Sequence, residues 1–418
     1  MKECREIRGE APPFELEELN FWIDGYSGRR WGPGNPFYET DDSIRNKLLG
    51  FINRHPTTTG EISEFLGVSK EEAAEHVEAL KKAMLIKVLC LRGKDEVYAP
   101  NFVITTDSDM ALIDGFIEEV GLELADRLRD HLDEIDAILE EDGADIFSRW
   151  AIITGNILDV LLLDSLTAKG AIPHRAKHYY KGCRPIYGCP WQFFGEEPYV
   201  SKATRAEINI SHNTTLDFSL LLLLPYFDRK GKREEWGLTG SEMLFGIRSI
   251  VKILCRHKEP LILEKLAKRL KRPKSMAQKV DRLIEEGKFE ALLEFLVEQG
   301  YLIREGDGYT VKVPRFSLNS YKRIKRMAGD VAEFLKVRLL SDLFVELYHQ
   351  MTCYRNKVII GQFRWIVVGK LIGKASSIAV EQGILPDPAK AGKEVIIWEQ
   401  ELPFLRKLIS WAIVIFST

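Results

Sequence analysis

The chain has 418 residues, 45% hydrophobic and 29% charged, with 59 Lys and Arg against 62 Asp and Glu and a net charge of −3. That length fits two to four domains, and the near balance excludes bulk attraction to nucleic acid or an anionic membrane. Any such attraction has to come from local segregation of charge.

In chain order, residues 1–40 read as an N-terminal arm. Its stretch NFWIDGYSGRRWGPGNPFY is rich in aromatics and glycine and is expected to cover an apolar groove. A first unit follows at 41–106. Ile44, Leu48, Leu49 and Ile52 stand at helical spacing. Thr59 is placed to cap the short helix GEISEFL, Gly67 to end it, and Ser69 with Glu72 to form the capping box of the next helix. Val77, Leu80 and Met84 give that helix one apolar face. The strands LIKVLCL and VYAPNFVI flank the polar turn RGKDE. The order is helix, helix, turn, helix and a two-stranded wing.

Residues 107–173 form a long helical segment with a stripe at Leu112, Phe116, Val120, Leu124, Leu128, Leu132, Ile135 and Leu139. It ends in SRWAIITGNILDVLLLDSLTAKGAIP at 148–173. Residues 174–243 read as a small β-containing insertion. A second unit at 244–314 repeats the helix order with one extra short helix, FEALLEFLVEQ, before its wing. A second long helical segment at 315–386 closes on FRWIVVGKLIGKASSIAVEQGILP, and 387–418 is a C-terminal segment. The shared Arg-Trp…Gly-x-x-Pro cadence aligns with two one-residue gaps. Four landmarks recur in one order, a little over 200 residues apart, as in a tandem duplication. The fold class expected is mainly α with β wings: two winged helix-turn-helix units, long connecting helices and a small β-containing insertion.

At 44–104 and 247–313 the chain resembles archaeal and bacterial winged-helix transcriptional regulators of the ArsR/MarR type. The resemblance rests on the cadence GEISEFLGVSKEEAAEHVEAL…LIKV and its wing. It implies recognition helices in successive major grooves of double-stranded DNA. It also implies that a duplicated chain imitates the usual homodimer as a pseudo-dimer, with further homodimerisation left open.

Charge separates the two units. Residues 247–288 hold thirteen Lys and Arg against five acids. Ser275 and Gln278 are candidates for base edges, and Lys271, Arg272, Lys274, Lys279 and Arg282 for phosphates. The first unit carries Glu71, Glu72, Glu75 and Glu78 on its third helix, a face that phosphates repel. Only Ser69, Lys70, Lys81, Lys82, Arg92 and Lys94 would help there. This unit either touches DNA weakly through its wing or serves as a protein-contact module. Residues 107–145 hold fifteen acids against Arg127 and Arg129. They read as a solvated face or as a competitor of DNA for the basic unit.

His174, His178, Cys183 and Cys189 offer four N and S donors, the set zinc takes, but their spacing matches no known finger. The plainer reading is a surface loop with free thiols and no cofactor. The six cysteines form no Cys-x-x-Cys pair. The most apolar runs, 216–227 and 409–416, fall short of the roughly 18 residues a membrane span needs. A reducing, cytoplasmic setting without a membrane partner is the expectation. Scarce Gln beside abundant Lys, Arg and Glu leans toward a thermophilic source. No P-loop, GxGxxG, GxSxG or HExxH motif occurs, so no enzyme is expected. The leading expectation is a DNA-binding transcriptional regulator acting mainly through the basic second unit. The alternative is a non-catalytic protein-interaction scaffold on winged-helix domains.

Overall fold

The computed structural model describes residues 18–25, 36–173, 191–197, 209–214, 218–224, 247, 250–251, 253–255, 257, 259–271, 274–387, 390 and 396–401, with the backbone alone for 22–25, 37, 191–193, 209–214, 218–224, 274–279 and 399–401. The chain is mainly helical with small sheets. Its described residues form two compact units, each drawn from both halves of the sequence. Unit 1 takes them from 1–123, 163–205 and 332–374, and unit 2 from 124–162, 206–331 and 375–418.

In unit 1, β1 (Asn20–Gly25) and α1 (Pro36–Thr40) precede α2 (Ser43–Arg54), β2 (Thr57–Thr58), α3 (Thr59–Leu66), α4 (Lys70–Lys82), β3 (Ile86–Arg92) and β4 (Asp95–Pro100). The strands pair in the order β2-β4-β3. Leu48, Leu49 and Ile52 of α2 meet Ile62, Val77, Leu80 and Phe102 in one core. Ile44 is exposed instead. Thr58, rather than Thr59, caps α3 in a complete box with Glu61. Gly67 ends that helix at φ 67°, a left-handed backbone that costs glycine little. Met84 leaves the apolar face expected of it. It lies beyond α4 at φ 62°, where the chain turns into β3, and Ala83 and Leu85 are buried beside it.

Unit 2 runs through helical residues between Ile247 and Leu254, then β9 (Leu261–Ile262), α8 (Leu263–Leu270), α9 (Lys274–Glu285), α10 (Lys288–Glu298), β10 (Leu302–Glu305) and β11 (Gly308–Val311). Its strands pair as β10-β11-β9. The extra helix expected in this half is α10. Leu266, Leu270, Val280, Leu283, Leu292, Leu296 and Tyr309 share the core.

A second sheet occurs in each unit with one topology. In unit 1, β6 (Trp191–Glu196) lies between β1 and β5 (Ile104–Thr105), antiparallel to the first and parallel to the second. In unit 2, β13 (Ile396–Glu401) lies between β8 (Phe218–Leu224) and β12 (Arg315–Phe316), again antiparallel to the first and parallel to the second. There β7 (Asn209–Thr214) extends β8. The described strands of 174–243 therefore do not form a separate insertion. β6 is the counterpart of β13, and β8 is the counterpart of β1.

Long helices follow β5 and β12. They are α5 (Asp107–Asp130) with α6 (Leu132–Glu141), and α11 (Leu318–Leu339) with α12 (Asp342–Gln350) and α13 (Thr352–Arg355). Thr106 and Ser317 cap them alike, each hydroxyl accepting from the backbone N–H three residues on. The stripe of α5 departs from the expected register at its start. Leu112 is 43% exposed, whereas Ile113 and Ile117 are buried.

The Arg-Trp…Gly-x-x-Pro segments become α7 (Ser148–Ala168) and α14 (Ile360–Glu381). In unit 2, Arg149 Nη1 donates to Ile384 O at 3.0 Å, and Trp150 Nε1 to Pro386 O at 2.8 Å. In unit 1, Arg364 Nη1 donates to Ala171 O at 3.4 Å. Each arginine thus holds the Gly-x-x-Pro turn of the other sequence half. Residues Ala151–Val160 of α7 are a π-helix. One of the extra residues of the first segment falls in this run, between Trp150 and Gly155, and i→i+5 bonding absorbs an insertion without ending a helix. α7 is long and apolar enough to cross a bilayer by length and composition, and its most apolar window is 61% buried within the protein.

The acids of 107–145 are largely engaged within the fold. Glu123 pairs with Arg338 and Glu118 with Lys374 in unit 1. In unit 2, Glu134 pairs with Arg323 and Arg326, and Asp136 with Arg149. This corrects the reading of the segment as a free competitor for the basic unit. Cys90 is disulfide-bonded, which corrects the expectation of free thiols throughout; Cys255 and Cys353 form no disulfide.

Two substitutions test this packing. A Cβ at Gly155, in the π-helical run, would lie 2.3 Å from the ring of the buried Trp398. Gly155→Ala should cost about 1–3 kcal/mol through overpacking, measured by denaturant unfolding. In unit 1, Lys87 Nζ donates to Lys357 O, and burial, then the Lys357 charge, lowers its pKa to about 8. The unfolded chain binds that proton more tightly, so stability should rise between roughly pH 8 and 10.5. Lys87→Met should stabilise the protein by about 1–2 kcal/mol at pH 7 and flatten that rise.

Candidate nucleic-acid interface

In unit 2 the backbone sets the basic face. On α8, Leu266, Ala267 and Leu270 turn into the core, leaving Lys265 and Lys268 exposed and Arg269 half-buried. None of these three cations forms an ion pair among the described residues. Burial and the Arg269 charge both push the His257 imidazole pKa below its ordinary value. On α9, Val280 and Leu283 anchor the helix to the core.

The candidates named from sequence fall out unevenly. Lys271 is paired with Asp281, and Arg282 lies 3.5 Å from Glu286. Both cations are partly neutralised by neighbours, which weakens their claim as phosphate contacts. The backbone of Lys274, Ser275, Gln278 and Lys279 lies on α9, but their side chains fall outside the described residues, as does Arg272 altogether. α10, the helix next to the wing, carries Glu290, Glu294 and Glu298 against Lys288. Glu294 reaches Arg304 of β10 at 3.4 Å and Tyr309 Oη of β11 at 3.3 Å, so this helix is tied to its wing. The wing turn itself is acidic, with Glu305 and Asp307 exposed.

Unit 1 shows the opposite distribution. Glu71, Glu72 and Glu75 are exposed on α4. The Ser69 hydroxyl accepts from Glu72 N at 3.1 Å, so it caps α4 and is committed to that bond. Arg92 pairs with Glu61 at 2.5 Å and is likewise partly neutralised. Lys70 and Lys94 are exposed, Lys94 at the wing turn. Burial raises the Glu61 pKa. Hydrogen bonds from Thr58 N, the Thr57 and Thr58 hydroxyls and Arg92 outweigh it, and the net shift is downward.

His174, His178, Cys183 and Cys189 lie outside the described residues, and among those that are described no group of three or more His, Cys, Asp or Glu is placed to hold a metal ion. Sequence reasoning missed Lys265, Lys268 and Arg269 as a set. The signal was there: cations at i, i+3 and i+4 opposite the Leu266/Leu270 stripe share an outward face. No protein-family model matches this chain, and neither a curated protein nor a solved structure matches it.

The Thr58–Glu61 box is open to measurement. Thr58→Ala should lower stability by about 1 kcal/mol. Because the Glu61 pKa is depressed in the folded protein, the stability it contributes is present above the ordinary carboxylate value and is lost as pH falls through the folded pKa. An NMR titration of Glu61 in the variant should show its pKa moved upward.

Proposed function

We propose that this protein is a DNA-binding transcriptional regulator built on two winged helix-turn-helix units, and that it engages double-stranded DNA mainly through unit 2. The observation that carries the reading is the trio on α8, with Lys265 and Lys268 exposed and Arg269 half-buried, free of ion pairs among the described residues, beside the basic α9. The helix and strand order of each unit supports it: helix, strand, two or three helices, then a hairpin whose second strand pairs with the first short strand. In such a module a helix enters the major groove while flanking cations hold the phosphate backbone. The contacts come from α8 and α9. The acidic α10 and its wing turn stay clear of the phosphates, because like charges there repel. Unit 1 adds a weaker contact through Lys94 and Lys70.

A second reading is favoured by one observation: α4 of unit 1 exposes Glu71, Glu72 and Glu75, with Arg92 of its wing held by Glu61. Such a face fits a basic protein partner, and the chain would then act as a scaffold without catalysis.

The two readings part in one experiment. Site selection from random duplex DNA, followed by anisotropy at several stated salt concentrations, should give salt-sensitive binding. Lys265→Gln with Lys268→Gln should weaken it by roughly tenfold or more at low salt and reduce the slope of log K against log salt by about two. Absence of any selected site together with salt-independent affinity counts against the DNA reading. Partner binding that survives the double substitution supports the scaffold.

A further inference from the structure

The two arginines of the repeated Arg-Trp motif have different surroundings. Arg149 gives Nη1 to Ile384 O at 3.0 Å, and Nε and Nη2 to the Asp136 carboxylate at 2.8 and 2.6 Å, so a built-in acid completes its fork. Arg364, inside unit 1, gives Nε to Leu339 O at 2.9 Å and Nη1 to Ala171 O at 3.4 Å. It meets no carboxylate within ion-pair distance among the described residues. A guanidinium has five N–H donors in a planar fork that matches a carboxylate, and two carbonyls leave part of that fork unused. Burial also holds the Arg364 pKa below the usual guanidinium range, the mark of a cation short of compensating charge.

Arg364 opens on a cleft of about 620 Å³, lined also by Thr167, Ala168, Pro173, Ile359 and Ile360. Ile359 is 47% exposed, an apolar rim without cover among the described residues. The volume lies in the range of small-molecule sites, which pair an apolar wall with a few fixed polar groups. Gly361 lets α14 approach Pro173 closely, since a Cβ there would lie 3.1 Å from the proline ring.

We propose that this cleft binds a small organic monocarboxylate, with its carboxylate on Arg364 and its alkyl or aryl body against Ile359, Ile360 and Pro173. The ligand gives Arg364 the carboxylate that Asp136 gives Arg149 in unit 2, but on the Nη donors, because Leu339 O already takes Arg364 Nε. Thr167 adds a hydroxyl to the wall. Asp164, also in the wall and engaged in a contact of its own, sets a negative charge against any second anionic group. The site therefore prefers monocarboxylates to phosphate. The inference does not depend on DNA binding.

Calorimetric titration of the full chain with hexanoate and benzoate tests it, with hexanamide, benzamide and inorganic phosphate as controls. The carboxylates should bind saturably, and the amides and phosphate at least about tenfold more weakly. Arg364→Lys should lower carboxylate affinity by about tenfold or more, because an ammonium cannot reproduce the fork. Since Arg364 also holds two helix-end carbonyls, Ile359→Glu serves as the second variant. Its position is exposed, so thermal unfolding should stay close to wild type while carboxylate binding falls by a similar factor. Equal binding of amide and acid, no binding of either carboxylate at millimolar concentration, or unchanged binding in Ile359→Glu would each overturn the proposal.

Discussion

Each unit of this protein depends on an arginine that caps a helix end from the opposite half of the sequence. The last carbonyls of a helix have no partner within it, and they carry the negative end of its dipole. A guanidinium that reaches them satisfies both needs. Arg364 does so at Leu339 O, the end of α11; Arg149 and Arg364 also hold the turns just past α14 and α7, at Ile384 O beyond Gly383 and at Ala171 O beyond Gly170. Glycine is used at both turns because the backbone is left-handed there, at φ 73° and 70°. The exchange is reciprocal, so neither sequence half completes a unit alone. The capped ends of the long helices follow the same rule. Thr352 N donates to Asp109 in unit 1, and Ser317 N donates to Asp142 in unit 2.

This exchange explains what could and could not be read in the sequence. The helices of 41–106 were legible because capping residues, a glycine stop and an apolar face all fall within a few residues of each other. The Arg-Trp and Gly-x-x-Pro landmarks were visible too, but their relation was hidden, because the partners stand more than 190 residues apart. The pairing of β6 with β1 and β5 was hidden for the same reason. A strand six residues long carries no sign of which distant strand it joins. Residues 174–243 therefore looked like an insertion, when their described strands close one sheet and open the next. Met84 and Leu112 were misplaced by a different cause. Periodicity gives a face only while the helix persists and its register against the neighbours is known.

The candidate interface was legible in charge and less so in detail. Counting Lys and Arg over 247–288 picks out a basic stretch, since segregated charge is a property of sequence. Which cations stay available is a property of neighbours. Lys271 meets Asp281 across a helix junction and Arg282 meets Glu286 one turn on, whereas Lys265 and Lys268 form no ion pair among the described residues, Glu264 on the same helix included. The same distinction removes the apparent excess of acid in 107–145. Those carboxylates face Arg323, Arg326, Arg338 and Lys374, cations supplied by the second half. Charge that looks unbalanced along the chain is balanced within each unit.

The reciprocal exchange leaves the two units free to differ where it makes no demand. The carbonyl end of each arginine contact is fixed, because losing it would leave a helix terminus unpaired in both halves. The other edge of the guanidinium carries no such requirement. Asp136 takes Nε and Nη2 of Arg149 in unit 2, while in unit 1 Leu339 O takes Nε of Arg364 and no carboxylate among the described residues pairs with it where it lines a cleft. The outer surfaces diverge similarly: unit 1 keeps a cation at its wing turn and acids on α4, and unit 2 has acids at its wing turn and cations on α8. A symmetric pair of DNA-reading modules would preserve one electrostatic face twice. Here the two units are opposite in sign at comparable places, with acids exposed on α4 of unit 1 and lysines exposed on α8 of unit 2.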